Sequence, residues 1–170
     1  MEKRAQRTVM AALLASALLL GTALPAAAIL QKGQPAPALQ GMTMSGEHIS
    51  LATYRGQVLV VDFFATWCGP CKEAVPHLIS LKEKYGRQGA QVLGLAVEDT
   101  PKALREFIST KRINYPVAQS NEDLETEYGI RSLPTLFVIN KKGIVAGRFQ
   151  GISDQTLRQV EELLRKALAE

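Results

Sequence analysis

The apolar residues of this chain change period several times, and each change marks an element. Val58–Phe64 is apolar at every position except Asp62 and rich in branched side chains, as expected of a central strand buried on both faces. Gln91–Val97 has the same character and ends at Glu98-Asp99. Between them the period becomes helical. Cys68–Tyr85 carries Val75, Leu78, Ile79 and Leu81, with Pro76 expected to kink the helix because proline removes an internal donor. Thr100-Pro101 reads as a helix start, since Thr caps and Pro suits the first helical position; Ala103, Leu104, Phe107 and Ile108 then form an apolar face. Tyr115–Ala118 is a short strand, and Asn121–Tyr128 a brief helix stopped by Gly129. Thr135–Asn140 and Ile144–Phe149 are strands joined through Lys141-Lys142-Gly143. Ser153 caps a last helix, whose Leu157, Val160, Leu164 and Leu168 lie at helical spacing. Ahead of these, Gln31–Ala38 is an extended lead-in with two prolines, and Met42–Leu51 a small hairpin around Ser45-Gly46. Strand–helix alternation implies parallel pairing, and the late hairpin adds antiparallel strands. The expected fold is α/β, a mixed sheet with helices on both faces.

The N-terminus follows a different pattern. Met1–Arg7 is basic, Val9–Leu20 is an apolar run, Gly21 and Pro25 break helical continuity, and Ala26-Ala27-Ala28 supplies small residues. These are the three parts of a secretory signal, so residues 1–28 are expected to be a signal peptide cleaved after Ala28, leaving a domain over 29–170. The competing reading is a retained membrane anchor, because Thr8 to Leu30 carries no charge. Localisation is accordingly expected to be periplasmic or extracytoplasmic.

Composition changes this picture little. A chain of 170 residues with 46% apolar and 21% charged content is long enough for one well-buried domain. The formal charge of +4 falls to about +2 once Lys3, Arg4, Arg7 and Glu2 are removed with the signal. No basic block remains to bind nucleic acid. A monomer is expected.

The candidate chemistry lies in the two cysteines, Cys68 and Cys71, within Trp67-Cys68-Gly69-Pro70-Cys71. A disulfide stabilises by closing a loop, and a two-residue gap closes almost none, so a structural staple is a poor explanation. A zinc site needs two further ligands, and His48 and His77 lie at no recognised spacing. No metal and no cofactor is expected. Redox chemistry explains the pair. Cys68 sits where a strand gives way to a helix, beside unsatisfied backbone N–H groups and the positive helix end. Both favour the attacking thiolate. Cys71, one turn inward, is placed to resolve a mixed disulfide. Gly69 and Pro70 shape the loop, and Trp67 shields the nucleophile and shapes a docking surface.

Val61-Asp62-Phe63-Phe64-Ala65-Thr66-Trp67-Cys68-Gly69-Pro70-Cys71-Lys72 resembles the active-site segment of thioredoxins, and Gly129-Ile130-Arg131-Ser132-Leu133-Pro134-Thr135 resembles the segment carrying their cis-proline. The exported start, the Leu51–Gly56 lead-in and the extra Thr100–Ala118 block are similar to the TlpA/ResA/DsbE branch of that superfamily. The resemblance covers about residues 33–168. It implies a thioredoxin-like sheet with an N-terminal hairpin and an inserted strand–helix element. It also implies a cis Leu133-Pro134 bond that presents the Leu133 backbone to an extended substrate strand.

Two positions depart from the branch. A glutamate usual three residues after the second cysteine is Ala74 here, and the adjacent Glu73 is rotated by about 100° around the helix. The strand position six before Cys68 is instead Asp62, as in thioredoxins. Its expected role is proton acceptor for Cys71, with a pKa raised by burial. The lysine that accompanies this aspartate in many thioredoxins is replaced by Gly94. Glu98, His48 and His77 are assigned no role.

The resemblance further implies reduction of specific disulfides in exported proteins, with apocytochrome c or its maturation partners as substrates and a membrane thiol-electron carrier of the CcdA or DsbD kind as donor. Gly-Pro between the cysteines favours a potential near that of thioredoxin, about −270 mV, over that of DsbA, about −120 mV. An oxidase that inserts disulfides is the first alternative. A peroxidase is disfavoured, because the Pro and Thr preceding a peroxidatic cysteine are Val61 and Ala65 here. A copper-binding or chaperone module using the two thiols is the third alternative.

Overall fold

A computed structural model describes residues 29–170, so the expected signal peptide and its cleavage site lie outside the described residues. Five strands form the main sheet in the order β5-β4-β3-β6-β7. They are β3 (Val58–Phe64), β4 (Ala90–Ala96), β5 (Val117–Gln119), β6 (Thr135–Ile139) and β7 (Val145–Gln150). β3 pairs parallel with β4 and antiparallel with β6; β4–β5 is parallel and β6–β7 antiparallel. The mixed sheet read from the alternation is therefore present. A separate two-stranded ladder, β1 (Gln40–Met42) with β2 (His48–Ser50), is the expected N-terminal hairpin. Gly46 turns it with φ 87°, a conformation that favours glycine. The hairpin ends one residue earlier than the pattern suggested, because Leu51 opens a 3₁₀ turn capped by the Ser50 side chain.

The helices are α1 (Gly69–Tyr85), α2 (Pro101–Lys111), α3 (Glu122–Glu127) and α4 (Asp154–Ala169). Four of the expected starts are side-chain caps: Cys68, Thr100, Asn121 and Ser153 each accept from a backbone N–H in the first turn. α1 runs through Pro76 as a single helix.

The period of two in β3 divides the interior. Val58, Val60 and Phe64 face a core shared with Cys71, Ala74, Val75 and Leu78 of α1, Leu104 and Phe107 of α2, and Val160 and Leu164 of α4. Leu59, Val61 and Phe63 face the other side, covered by Leu30 and Leu39 of the lead-in, Ile49 of the hairpin and Leu124 and Tyr128 around α3. Helices thus cover both faces, but unequally. Each such large side chain removed from water contributes about 1.5–3 kcal/mol. The lead-in is anchored by pairing with the start of β7, Gly33 N–H donating to the Val145 carbonyl at 2.8 Å and Val145 N–H to that of Gln34 at 2.9 Å.

Candidate active site

The cysteine pair follows the C-terminal end of β3, the central strand, where sites of α/β sheets tend to gather. Cys68 has extended backbone and caps α1, and Cys71 lies in that helix's first turn. The two are joined as a disulfide, and Cys71 N–H donates to Cys68 Sγ at 3.2 Å. That donor and the helix end favour negative charge on Cys68 once the bond opens. Cys68 is 8% exposed and Cys71 fully buried, so only the first is open to attack from outside.

The turn before Cys68 is held by a pair of residues that sequence reasoning did not single out. Thr66 N–H donates to Asp99 Oδ2 at 2.7 Å, and the Thr66 hydroxyl bonds the other oxygen. Asp99, itself buried, ties the loop to the end of β4. The available signal was an acid directly after a parallel strand and one residue before a helix cap.

In front of the disulfide is a groove of about 540 Å³. Trp67, Cys68, Gly69, Pro70 and Leu133, all expected at the site, line it together. Trp67 is 61% exposed, so it is a surface and not a core aromatic. The Leu133–Pro134 bond is cis, and Pro134 is buried directly before β6. The groove also recruits Val97, Glu98, Glu125, Ile130, Arg131 and Ser132. Glu98 has φ 52°, an uncommon conformation for a residue with a side chain. The Glu125 carboxyl is raised by partial burial, with the Glu98 charge adding to the shift. Only the tertiary fold brings these residues to Cys68, across up to three elements.

Behind the disulfide lies Asp62. The β3 alternation places its side chain on the same face as Cys71 and Ala74. It is 1% exposed, and neither carboxylate oxygen has a hydrogen-bond partner among the described residues. Burial raises its pKa to about 7. Its register partners are Gly94 on β4 and Leu136 on β6. The position opposite Asp62 is therefore a glycine, and its missing side chain is replaced by the rings of Phe64 and Tyr115 and by Val117. His48 and Glu73 are exposed, and half-buried His77 faces α4, away from the disulfide. Among the described residues no three His, Cys, Asp or Glu side chains gather as a metal-ligand set. No helix among them is long and apolar enough to cross a membrane.

Residues 32–148 match the AhpC/TSA family. The thiol-disulfide oxidoreductase ResA of Bacillus thuringiensis subsp. konkukian is 32% identical over 139 residues, spanning 81% of this chain and 79% of that protein. A crystal structure from Chlorobium tepidum TLS, a thiol:disulfide interchange protein of the thioredoxin family, matches with TM-score 0.73 and 28% identity, covering 81% and 97% of the two chains. StoA from Bacillus subtilis matches with TM-score 0.64 and 26% identity, over 75% and 96%.

Proposed function

The chain belongs to the AhpC/TSA family and is a thiol–disulfide oxidoreductase of the ResA/DsbE type, with a thioredoxin-like fold and a Cys68–Cys71 pair; from that premise we propose that it reduces specific disulfides of exported proteins. The observation that carries this reading is the asymmetric burial of the pair, one sulfur at a groove and the other buried on the sheet face that also carries Asp62, whose pKa burial raises to about 7.

In the dithiol form, the Cys68 thiolate attacks one sulfur of a client disulfide. A Cys68–client bond forms, and the client's other sulfur leaves as a thiolate. The client strand lies in the groove along Leu133, whose backbone cis Pro134 presents, with Trp67, Gly69 and Pro70 as the opposing wall. Asp62 then takes the Cys71 proton, and the Cys71 thiolate attacks Cys68 Sγ. This expels the second client sulfur and leaves Cys68–Cys71 oxidised and the client reduced by two electrons. A raised carboxyl pKa suits this transfer, since a base is most effective when its pKa lies near the working pH.

Turnover requires a dithiol donor to return two electrons. In an oxidising compartment this is a membrane carrier of the CcdA or DsbD kind. The N-terminal pattern of residues 1–28 supports export with cleavage after Ala28, and the family resemblance supports apocytochrome c or its maturation partners as clients. The mature domain is proposed to act as a monomer.

The test is the Cys68/Cys71 reduction potential, measured against glutathione and dithiothreitol buffers. A value below about −220 mV supports the reductase, while a value near about −120 mV makes it an oxidase.

A further inference from the structure

The proposed mechanism leaves a proton on Asp62 at every turnover. The structure holds a second opening. Met44, Arg105, Ile108, Ile113, Tyr115 and Val117 are among the residues lining a cleft of about 270 Å³ between the hairpin, α2 and the start of β5. Two of these residues also border the Asp62 chamber. A side chain built on Gly94, the register partner of Asp62, would meet Val117 Cγ2 at 3.3 Å and Tyr115 Cε2 at 3.5 Å. Paired residues on adjacent strands project to the same face, so the space above Gly94 is the space beside Asp62. Tyr115, 6% exposed, belongs to both: its Cε2 lies beside the Gly94 position, and the residue lines the cleft.

We propose that Asp62 exchanges its proton with solvent through this cleft, with the Tyr115 ring as the partition, and not through the client groove. Tyr115 is a positioning residue, because it sets the hydration of Asp62 and touches no reacting sulfur. This inference rests on Asp62 being the proton acceptor for Cys71.

The other surroundings of the carboxyl leave few alternatives. α1 contributes Cys71, Ala74 and Val75, β6 contributes Leu136, and α4 contributes Val160 and Leu164 to this core. The titratable groups on this side are thus Cys71 and Tyr115, with exposed Arg105 at the cleft. The Tyr115 hydroxyl is itself pushed up by burial and then by the Asp62 charge, which agrees with their proximity. Gly94 matters because even a Cβ there would lie only 3.0 Å from Phe64 Cε1 and 3.3 Å from Val117 Cγ2, so these side chains could not pack as closely beside the carboxyl.

The experiment titrates Asp62 in the oxidised mature protein by the infrared carboxyl band, without client. Tyr115→Ala removes the partition and is expected to lower the midpoint by about one unit, a tenfold change in protonated fraction near neutrality. Tyr115→Phe keeps the ring and stays within a few tenths of a unit. Should Tyr115→Ala fail to fold, Val117→Ala trims the same wall and shifts the midpoint in the same direction by less. Trp67→Ala, which opens the client groove, leaves it in place. A midpoint that moves with Trp67→Ala, or stays fixed in whichever of Tyr115→Ala and Val117→Ala folds, overturns the proposal. Failure of the underlying reading looks different. If Asp62→Asn leaves the pH profile of mixed-disulfide resolution unchanged, Asp62 is not the acceptor, whatever the titration gives.

Discussion

The two sides of the Cys68–Cys71 disulfide are built on opposite principles. The groove in front is open and made of residues from several loops and a helix: an exposed tryptophan, two glutamates, an arginine and the backbone around a cis proline. The chamber behind is dry and made of regular elements. β3, β4 and α1 enclose one carboxyl against a glycine, and the neighbouring side chains are apolar or aromatic. The front offers exposed side chains, Trp67 and Arg131 among them, to whatever enters the groove. The back can tune a proton because nothing there solvates charge. If the front recognises clients and the back handles the proton, as proposed, each should be open to perturbation without the other.

The largest perturbation removes the boundary itself. Cys68→Ser should reduce disulfide turnover to the uncatalysed level, because no thiolate remains at the groove. Cys71→Ser should instead accumulate a Cys68–client mixed disulfide, visible on a non-reducing gel, and an absence of adduct would count against the assigned order of attack. Next is Asp62→Asn, which should slow resolution on the order of 10²-fold near pH 7 and flatten its pH dependence. Stopped-flow fluorescence of Trp67 can follow this step.

The same substitution carries a stability signature specific to the back. The Asp62 pKa is raised in the folded state, so its contribution to stability is intact below about pH 4 and is lost as pH rises through about 7. The loss is at most about 4 kcal/mol. Asp62→Asn should therefore be more stable than the parent at pH 8 and nearly equal at pH 4 in urea titrations. Trp67→Ala tests the front alone. It should raise KM for a folded client several-fold through lost apolar contact, leaving the pH profile of resolution in place.

The smallest effect expected is at His77, between α1 and α4. Burial lowers its pKa, with Lys84 adding to that and Glu161 opposing it. The folded protein resists protonating it, so stability should fall as pH drops below about 6.5. His77→Gln should lessen that acid loss by less than about 1 kcal/mol, measured as Tm between pH 5 and pH 7.

Most of the back was legible in the sequence and most of the front was not. Asp62 stands out as a charge inside a seven-residue apolar strand, Gly94 as its neighbour follows from aligning two strands, and Ala74 is read by counting from Cys71. All three depend on period and register, which are local. Tyr115 escaped, although its element was expected, because its contact with the Asp62 chamber exists only once β5 pairs beside β4. In front, Glu125 and Ile130 lie more than fifty residues from Cys68, on a helix and a turn with no periodic mark of function. Neither acid after β4 was assigned a role from sequence, yet Asp99 turns inward to hold Thr66 while Glu98 lines the groove.

Read along the chain, the residues give the order of strands and helices, the closely spaced cysteine pair at a strand–helix junction, and the acid inside the apolar strand before it. Each follows from hydrophobic period, capping chemistry and the short covalent distance between Cys68 and Cys71. Only the packed fold shows which distant side chains complete the groove and that the inserted block brings a tyrosine beside the register partner of Asp62, while the cis Leu133–Pro134 bond agrees with what the resemblance implied. These depend on packing between elements far apart in the chain, and local physical chemistry does not encode that packing position by position.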